Sequence, residues 1–187
     1  MAQPLRKPPM SRESLLPLLA GHVLAHGLGQ ASLRPLARAA GTSDRMLLYH
    51  FGTKEALIAA LLAYLARQYA GALDTALAGE PRPQTRGQAA ARILKHARTE
   101  AMRPFMQLWW EIVAGAARGV EGYLPAAQAI ITGLLGWLEG QMPEGDPDPA
   151  GGARYLLTLI EGTLMLAAIG HDSTARDGLL ASGLAPS

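Results

Sequence analysis

The chain has 187 residues, 49% of them hydrophobic, which is enough for a core in one or two small domains. It contains no cysteine, so disulfides, thiolate metal sites and cysteine nucleophiles are excluded. The net charge is only +2, yet residues 1–55 hold seven basic side chains against three acidic ones, which either suits a polyanion at the N-terminal end or is a small fluctuation on a solvated surface.

Residues 1–10 are proline-rich and expected to be mobile, with Arg6 and Lys7 able to reach phosphates or a minor groove, or to stay solvated. A first helix is predicted over Ser11–His26, burying Leu15, Leu18, Leu19 and Val23. Its start is ambiguous. Ser14 stands where a capping box would place Glu or Gln, and Pro17 falls past a first turn that begins at Ser11. His22 and His26 stand four apart, a metal-compatible spacing with no third ligand nearby, and read as solvated or core-edge histidines. Gly27–Ala31 is a loop.

Residues 32–55 are the most informative stretch. Ser32 is a candidate N-cap, Pro35 falls at the third helical position, and Leu33, Leu36, Ala37 and Ala40 mark one apolar face. Gly41 suits a left-handed helix end. Ser43 caps a second short helix with Asp44 in its first turn. Leu47, Leu48 and Phe51 are expected inward, with Arg45, Tyr49 and His50 outward. Gly52 ends this helix and Thr53 starts a longer one. Two short helices about a tight glycine turn form the helix-turn-helix unit of DNA binding.

The residue types here resemble the N-terminal domain of the TetR family of bacterial transcription regulators. The resemblance rests on Leu36-Ala37, Ala40-Gly41, Ser43, Leu47, Tyr49-His50-Phe51 and Thr53-Lys54-Glu55-Ala56-Leu57, and covers about residues 11–60. Two positions depart from it. Leu48 stands where the family often has a phosphate-touching Tyr, and Met46 where a small or hydroxyl residue is usual. The DNA-contact candidates are Arg34, Thr42, Ser43, Asp44, Arg45, Met46, Tyr49, His50 and Lys54. Arg45 is the base reader, because its fork matches guanine O6 and N7. Tyr49, His50 and Lys54 are assigned to phosphates, Lys54 at a helix start where free N–H groups also suit an anion.

A long helix follows from Thr53 to about Ala78, with Leu57, Leu61, Leu62, Leu65, Tyr69 and Leu73 at helical spacing. Residues 79–84 form a linker, and Thr85 to about Met102 is a helix. From Pro104 onward Phe105, Met106, Trp109 and Val113 fall on one side, with Met102 ahead of them. The stripe reads as ordinary core or as the wall of an apolar pocket. The resemblance implies an effector pocket in these helices. Its candidates are Met102, Phe105, Met106, Trp109, Val113, Trp137, Glu161 and Met165, and the ligand is expected to be small and largely hydrophobic.

Tyr123–Gln141 is predicted helical, with Ile130, Ile131, Leu134, Leu135 and Leu138 inward. Residues 142–152 read as a loop. Ala153–Ile169 is apolar almost all round and needs two partners: its own core and a copy from a second chain. A final helix, capped by Ser173, runs over Thr174–Leu184. The resemblance implies a four-helix homodimer contact, with Leu159, Gly162, Leu166, Ile169, Leu180 and Leu184 as candidates. Glu161 is the one acid deep in the apolar helix. It points to solvent or, if buried, meets a partner such as a cationic or hydroxyl-bearing ligand.

Leucine and alanine abundance without alternating β-branched runs predicts an all-α fold. The division expected is a helix-turn-helix domain over 1–58 and a ligand-binding and dimerisation domain over 59–187. No apolar run of ~18 residues lacks a charge or breaker, and no signal peptide is read, so a cytoplasmic protein is expected. The reading is a dimeric regulator, most simply a repressor on a palindromic operator, without cofactor, metal or catalytic residues. The rival readings are a helical enzyme and a helical interaction module without DNA binding. No catalytic order, phosphate loop or zinc signature supports the first.

Overall fold

The computed structural model describes residues 10–183, which form nine α-helices and one 3-10 turn, with no strand among the described residues. In chain order they are α1 (Arg12–His26), the 3-10 turn (Leu28–Gln30), α2 (Leu33–Ala39), α3 (Asp44–Phe51), α4 (Lys54–Leu77), α5 (Arg86–Ala97), α6 (Arg103–Ala117), α7 (Tyr123–Gly140), α8 (Pro149–Ala168) and α9 (Asp172–Ala181). The fold is all-α, as the composition requires. Arg6, Lys7 and Leu184 lie outside the described residues.

Two compact units are present. One takes the described residues up to Leu65 together with Gln107–Ala126. The other takes Ala66–Met106 and the described residues from Ala127 on. The division expected from sequence, 1–58 and 59–187, follows the chain. The units do not, because α6 beyond its first turn and the start of α7 group with the N-terminal helices.

In the first unit, α1 starts at Arg12 with a complete capping box. Ser14 Oγ accepts the Ser11 N–H (2.9 Å), and Ser11 Oγ accepts the Ser14 N–H (3.2 Å). A serine hydroxyl therefore does what the sequence rule reserves for Glu or Gln, and Pro17 is carried inside the helix. Leu18, expected inward, is exposed, and the buried face is Leu15, Leu19, Ala20 and Val23. His22 and His26 stack at 4.5 Å, and His26 Nδ1 lies 2.9 Å from the His22 carbonyl. No cluster of three metal-binding side chains occurs among the described residues.

In the second unit, Thr85 caps α5 by accepting the Gln88 N–H (3.1 Å), but the helix ends at Ala97 rather than near Met102. The Thr99 hydroxyl donates to the His96 carbonyl (2.8 Å) and occupies an end carbonyl of that last turn. On α7, Leu138 is buried, while Ile130, Ile131, Leu134 and Leu135 are only half-buried. Helix α8 begins at Pro149, inside the expected loop. Asp148 caps it by accepting the Gly151 N–H (2.9 Å), and Pro149 occupies the first position, where its missing N–H costs nothing. Helix α9 starts at Asp172, with His171 rather than Ser173 at the cap position.

The 79–84 linker is tied down by charge. Glu80 accepts from Lys95 (2.6 Å) and Arg92 (3.3 Å) and lies 3.1 Å from His96, and these partners, Lys95 foremost, hold its carboxyl down at about 2. Arg86 donates twice to Asp146 at 2.7 Å and once to the Asp148 carbonyl at 3.0 Å. Asp146, its side chain almost out of solvent, is lowered to about 2 by Arg86 and then by the Asp148 N–H.

Helix α4 has an 18-residue window of mean hydropathy 1.4, so by length and composition alone it could cross a bilayer, although Arg67 interrupts its apolar run. Its Leu57, Leu61, Leu62, Leu65 and Leu73 are buried within the protein.

Candidate nucleic-acid interface

Helices α2 and α3 are joined by a turn that local chemistry dictates. Gly41 takes φ +63°, a conformation that costs glycine nothing. Its N–H donates to the Arg38 carbonyl (3.1 Å), and the next N–H, of Thr42, donates to the Ala37 carbonyl (2.9 Å). Those two bonds close the end of α2 as a Schellman motif. Ser43 then sits extended, and its hydroxyl accepts the Met46 N–H at 3.3 Å, capping α3. Ser32, the other candidate cap, is also extended but makes no side-chain cap bond.

Burial sorts the side chains of this pair. Leu36, Ala37, Leu47 and Phe51 are buried, which fixes which face of α3 turns away from the core. On that outer face stand Arg45, Met46 and Tyr49, the last 78% exposed. Leu48, expected inward, is 36% exposed and belongs to the same outer surface. His50, expected outside, is half-buried, and its Nε2 is enclosed without a hydrogen-bond partner among the described residues. Its ring meets Tyr49 edge-on at 5.3 Å. His50 is thus a wedge beside Tyr49 rather than a free surface group.

The rim around α3 is basic. Arg34 in the first turn of α2, Arg38 in its last turn, and Lys54 at the first position of α4 are all exposed. Thr53 caps α4 by accepting the Ala56 N–H (3.1 Å), so Lys54 stands among helix-start N–H groups. Thr42 and Asp44 are half-buried at the turn. The Arg12 guanidinium lies 5.0 Å over the Phe51 ring and links α1 to α3. Glu13 is held below the ordinary carboxylate value by its own backbone N–H and the Ser11 hydroxyl, with Arg12 and His50 adding to the effect. A short outward helix with an arginine and a tyrosine on its face, rimmed by cations, is suited to a major groove flanked by phosphates.

The residues expected to line a pocket divide between the two units. In the second, Met102 and Met106 are buried, and Phe105, Trp137 and Glu161 are half-buried. Tyr69, read from sequence only as core, joins them. Its hydroxyl donates toward the Met106 sulfur at 3.6 Å, and its ring lies 5.7 Å from Phe105. Burial, with the Glu161 charge second, pushes the Tyr69 phenol up to about 12. The Trp137 indole N–H donates to Asp74 at 2.6 Å. Met165 is exposed. In the first unit, Trp109 is half-buried and Val113 is 43% exposed. An open cleft of about 580 Å³ lies between residues 82–86 and 143–147, lined by none of the expected pocket residues.

Helix α8 has two faces of opposite burial. Ala153, Leu156, Ile160, Thr163 and Leu164 are buried. At helical spacing on the other side stand Tyr155, Leu159, Gly162, Leu166 and Ile169, half-buried or exposed, with Ile169 66% exposed. A Cβ added at Gly162 meets nothing within 4 Å. On α9, Leu180 is also exposed.

Comparison with known proteins places this geometry. Residues 22–61 match the family described as "Bacterial regulatory proteins, tetR family". No curated protein matches the chain. Among solved structures, a transcriptional regulator from Streptomyces coelicolor A3(2) superposes with a TM-score of 0.70 at 21% identity, over 94% of this chain and 98% of that one. A TetR-family transcriptional regulator from Rhodococcus sp. gives 0.68 at 19% identity, over 91% and 95%. The multidrug binding protein EbrR, complexed with proflavin, gives 0.65 at 22% identity, over 90% and 97%. At these identities the three structures show that the fold is shared.

Proposed function

We infer, from a chain whose N-terminal helix-turn-helix is that of the TetR family of bacterial regulatory proteins, that this transcription regulator represses by occupying a palindromic operator as a homodimer. The observation that carries the reading is the sorting of α3. Leu47 and Phe51 fill the core, and Arg45, Met46 and Tyr49 face outward between Arg34 and Lys54. Arg45 reads a guanine, while Tyr49 and Lys54 hold phosphates. His50, its Nε2 enclosed, acts by orienting Tyr49 more than by direct contact.

Dimerisation is supported by the outward apolar stripe Tyr155, Leu159, Gly162, Leu166 and Ile169 on α8, with Leu180 on α9. Large contiguous apolar surface of this kind marks an interface. Two copies about a two-fold axis would present two recognition helices to half-sites a helical turn or more apart. A small hydrophobic effector that prefers a conformation with the wrong half-site spacing would release the DNA. EbrR is described as a multidrug binding protein, and this chain shares its fold. Buried Met102 and Met106 with half-buried Phe105 and Tyr69 offer a pliable apolar site that has one hydroxyl and, in Glu161, one carboxylate.

Duplex selection from a randomised pool, followed by anisotropy titration at rising salt, tests the reading. A symmetric site should emerge, and its affinity should fall steeply with salt as counterions are released. Selection of no duplex, or binding indifferent to salt, overturns it.

A further inference from the structure

We propose that Glu111 is a positioning residue for DNA binding: its carboxylate on α6 clamps the backbone between α1 and α2 and so sets the helix-turn-helix. The inference rests on the DNA-binding reading above. Helix α1 ends at Gly27, whose N–H returns to the Val23 carbonyl at 2.8 Å. The next N–H, of Leu28, opens the 3-10 turn and makes no backbone hydrogen bond among the described residues. It donates instead to Glu111 Oε2 at 2.7 Å, across 83 residues of sequence. At 2.7 Å it is a short N–H···O bond to a carboxyl oxygen. The second oxygen approaches the same backbone, since a Cβ added at Gly27 would lie 2.7 Å from Oε1. Gly27 is therefore required twice, by its φ of +77° and by the carboxylate above it.

The carboxylate rides on a locally fixed hairpin. The Val120 N–H donates to the Gly115 carbonyl (3.0 Å) and the Gly119 N–H to the Ala116 carbonyl (3.0 Å). The Tyr123 ring fills the space that a side chain at Gly115 would need. Burial, with the Glu111 charge adding, raises the Tyr123 phenol. Below the clamp, Leu28 and Ala31 are buried, and Ser32 gives α2 no side-chain cap. The Glu111 bond is thus the long-range anchor of a connection whose local cap is missing. Both partners lie in the same compact unit as α3.

The test uses the full chain, a duplex selected by the unmodified chain from a randomised pool, and two variants. Glu111→Ala should weaken that duplex about tenfold, the scale of one lost hydrogen bond to a charged acceptor, and should weaken random duplex less. Glu111→Gln keeps an acceptor oxygen and should bind within about twofold of the original. Amide exchange at Leu28 gives a local readout. Protection should be present in the original, kept by Gln and lost by Ala while circular dichroism is unchanged. If the unmodified chain selects a duplex and Glu111→Ala binds it equally well, or if Gln is as weak as Ala, the positioning role is overturned. A chain that selects no duplex fails the DNA-binding reading itself. Should Glu111→Ala not fold, exchange and binding of Glu111→Gln decide, since weak binding or an unprotected Leu28 amide there overturns the clamp.

Discussion

Helices α3 and α8 each bury one face and leave the other outward, but the outward faces have opposite chemistry. On α3 it carries Arg45 and Tyr49 inside a rim of exposed Arg34, Arg38 and Lys54. On α8 it carries Tyr155, Leu159, Gly162 and Leu166, with Ile169 at the C-cap. The first suits a charged, hydrated surface, because its cations cost nothing while solvated and exchange counterions on contact. The second keeps apolar area in water and is relieved only by another apolar face. Outward residues, more than the core, state the kind of partner: α3 buries Leu47 and Phe51, and α8 buries Ala153, Leu156, Ile160, Thr163 and Leu164, so both inner faces are almost wholly apolar.

The largest expected effect breaks the α8 side. Gly162 has open space around an added Cβ, so Gly162→Glu should fold, yet it sets a charge in the middle of the apolar stripe. Sedimentation should show the dimer replaced by monomer, and operator affinity should collapse with it, because each half-site then binds alone. An unchanged dimer would show that the stripe is not the interface.

Next comes the α3 side. Arg45→Ala should cost ~1–3 kcal/mol at one or two base pairs per half-site, whereas Lys54→Ala should weaken all duplexes alike and lower the salt slope by about one. Competition with single-base variants of the site separates the two. If Arg45→Ala weakens every duplex equally, Arg45 holds a phosphate and the outward face reads no bases.

The sequence displays these two helices unequally. The α2–α3 turn is set by residues within eleven positions of one another. Gly41 closes one helix, Ser43 opens the next, and Leu36 and Leu47 are both buried, so it is legible. Leu48 misleads because a leucine beside Leu47 reads as core, and burial alone turns it outward. The start of α8 is hidden because Gly151 and Gly152 look like loop, although Asp148 and Pro149 form a good cap and first position. Tyr69 beside Met106 and Glu111 bonded to the Leu28 N–H join residues 37 and 83 apart, and no local pattern encodes such pairs. The single acid in the run Trp109-Trp110-Glu111-Ile112 was the available signal for the second.

A smaller effect contrasts the ion-paired linker with the solvated cations around α3. Glu80 and Asp146 both have folded values near 2, below the ordinary carboxylate range, so each adds stability above its unfolded value of ~4. That stability should drain away as pH falls from about 4 to 2. Thermal melts across this window should show the drop, and Asp146→Asn should reduce its steepness. A melting temperature flat across the window would mean the pairs are solvated and add nothing.

The smallest expected effect compares two serines within the helix-turn-helix itself. Ser43 and Ser32 both precede a helix, both have extended backbones, and both pass the sequence rule for an N-cap. Only Ser43 makes the bond, its hydroxyl accepting the Met46 N–H at 3.3 Å. Ser43→Ala should therefore cost ~1 kcal/mol, the usual loss for a capping hydroxyl, and Ser32→Ala close to nothing. Denaturant unfolding without DNA measures both, free of any contact Ser43 makes to a phosphate. The slope with denaturant should match the original, so that the midpoint shift reports stability alone. Equal losses at the two positions would mean that Ser32 also caps its helix. The connection above α2 would then be anchored locally, and the need for the Glu111 carboxylate at Leu28 would weaken with it.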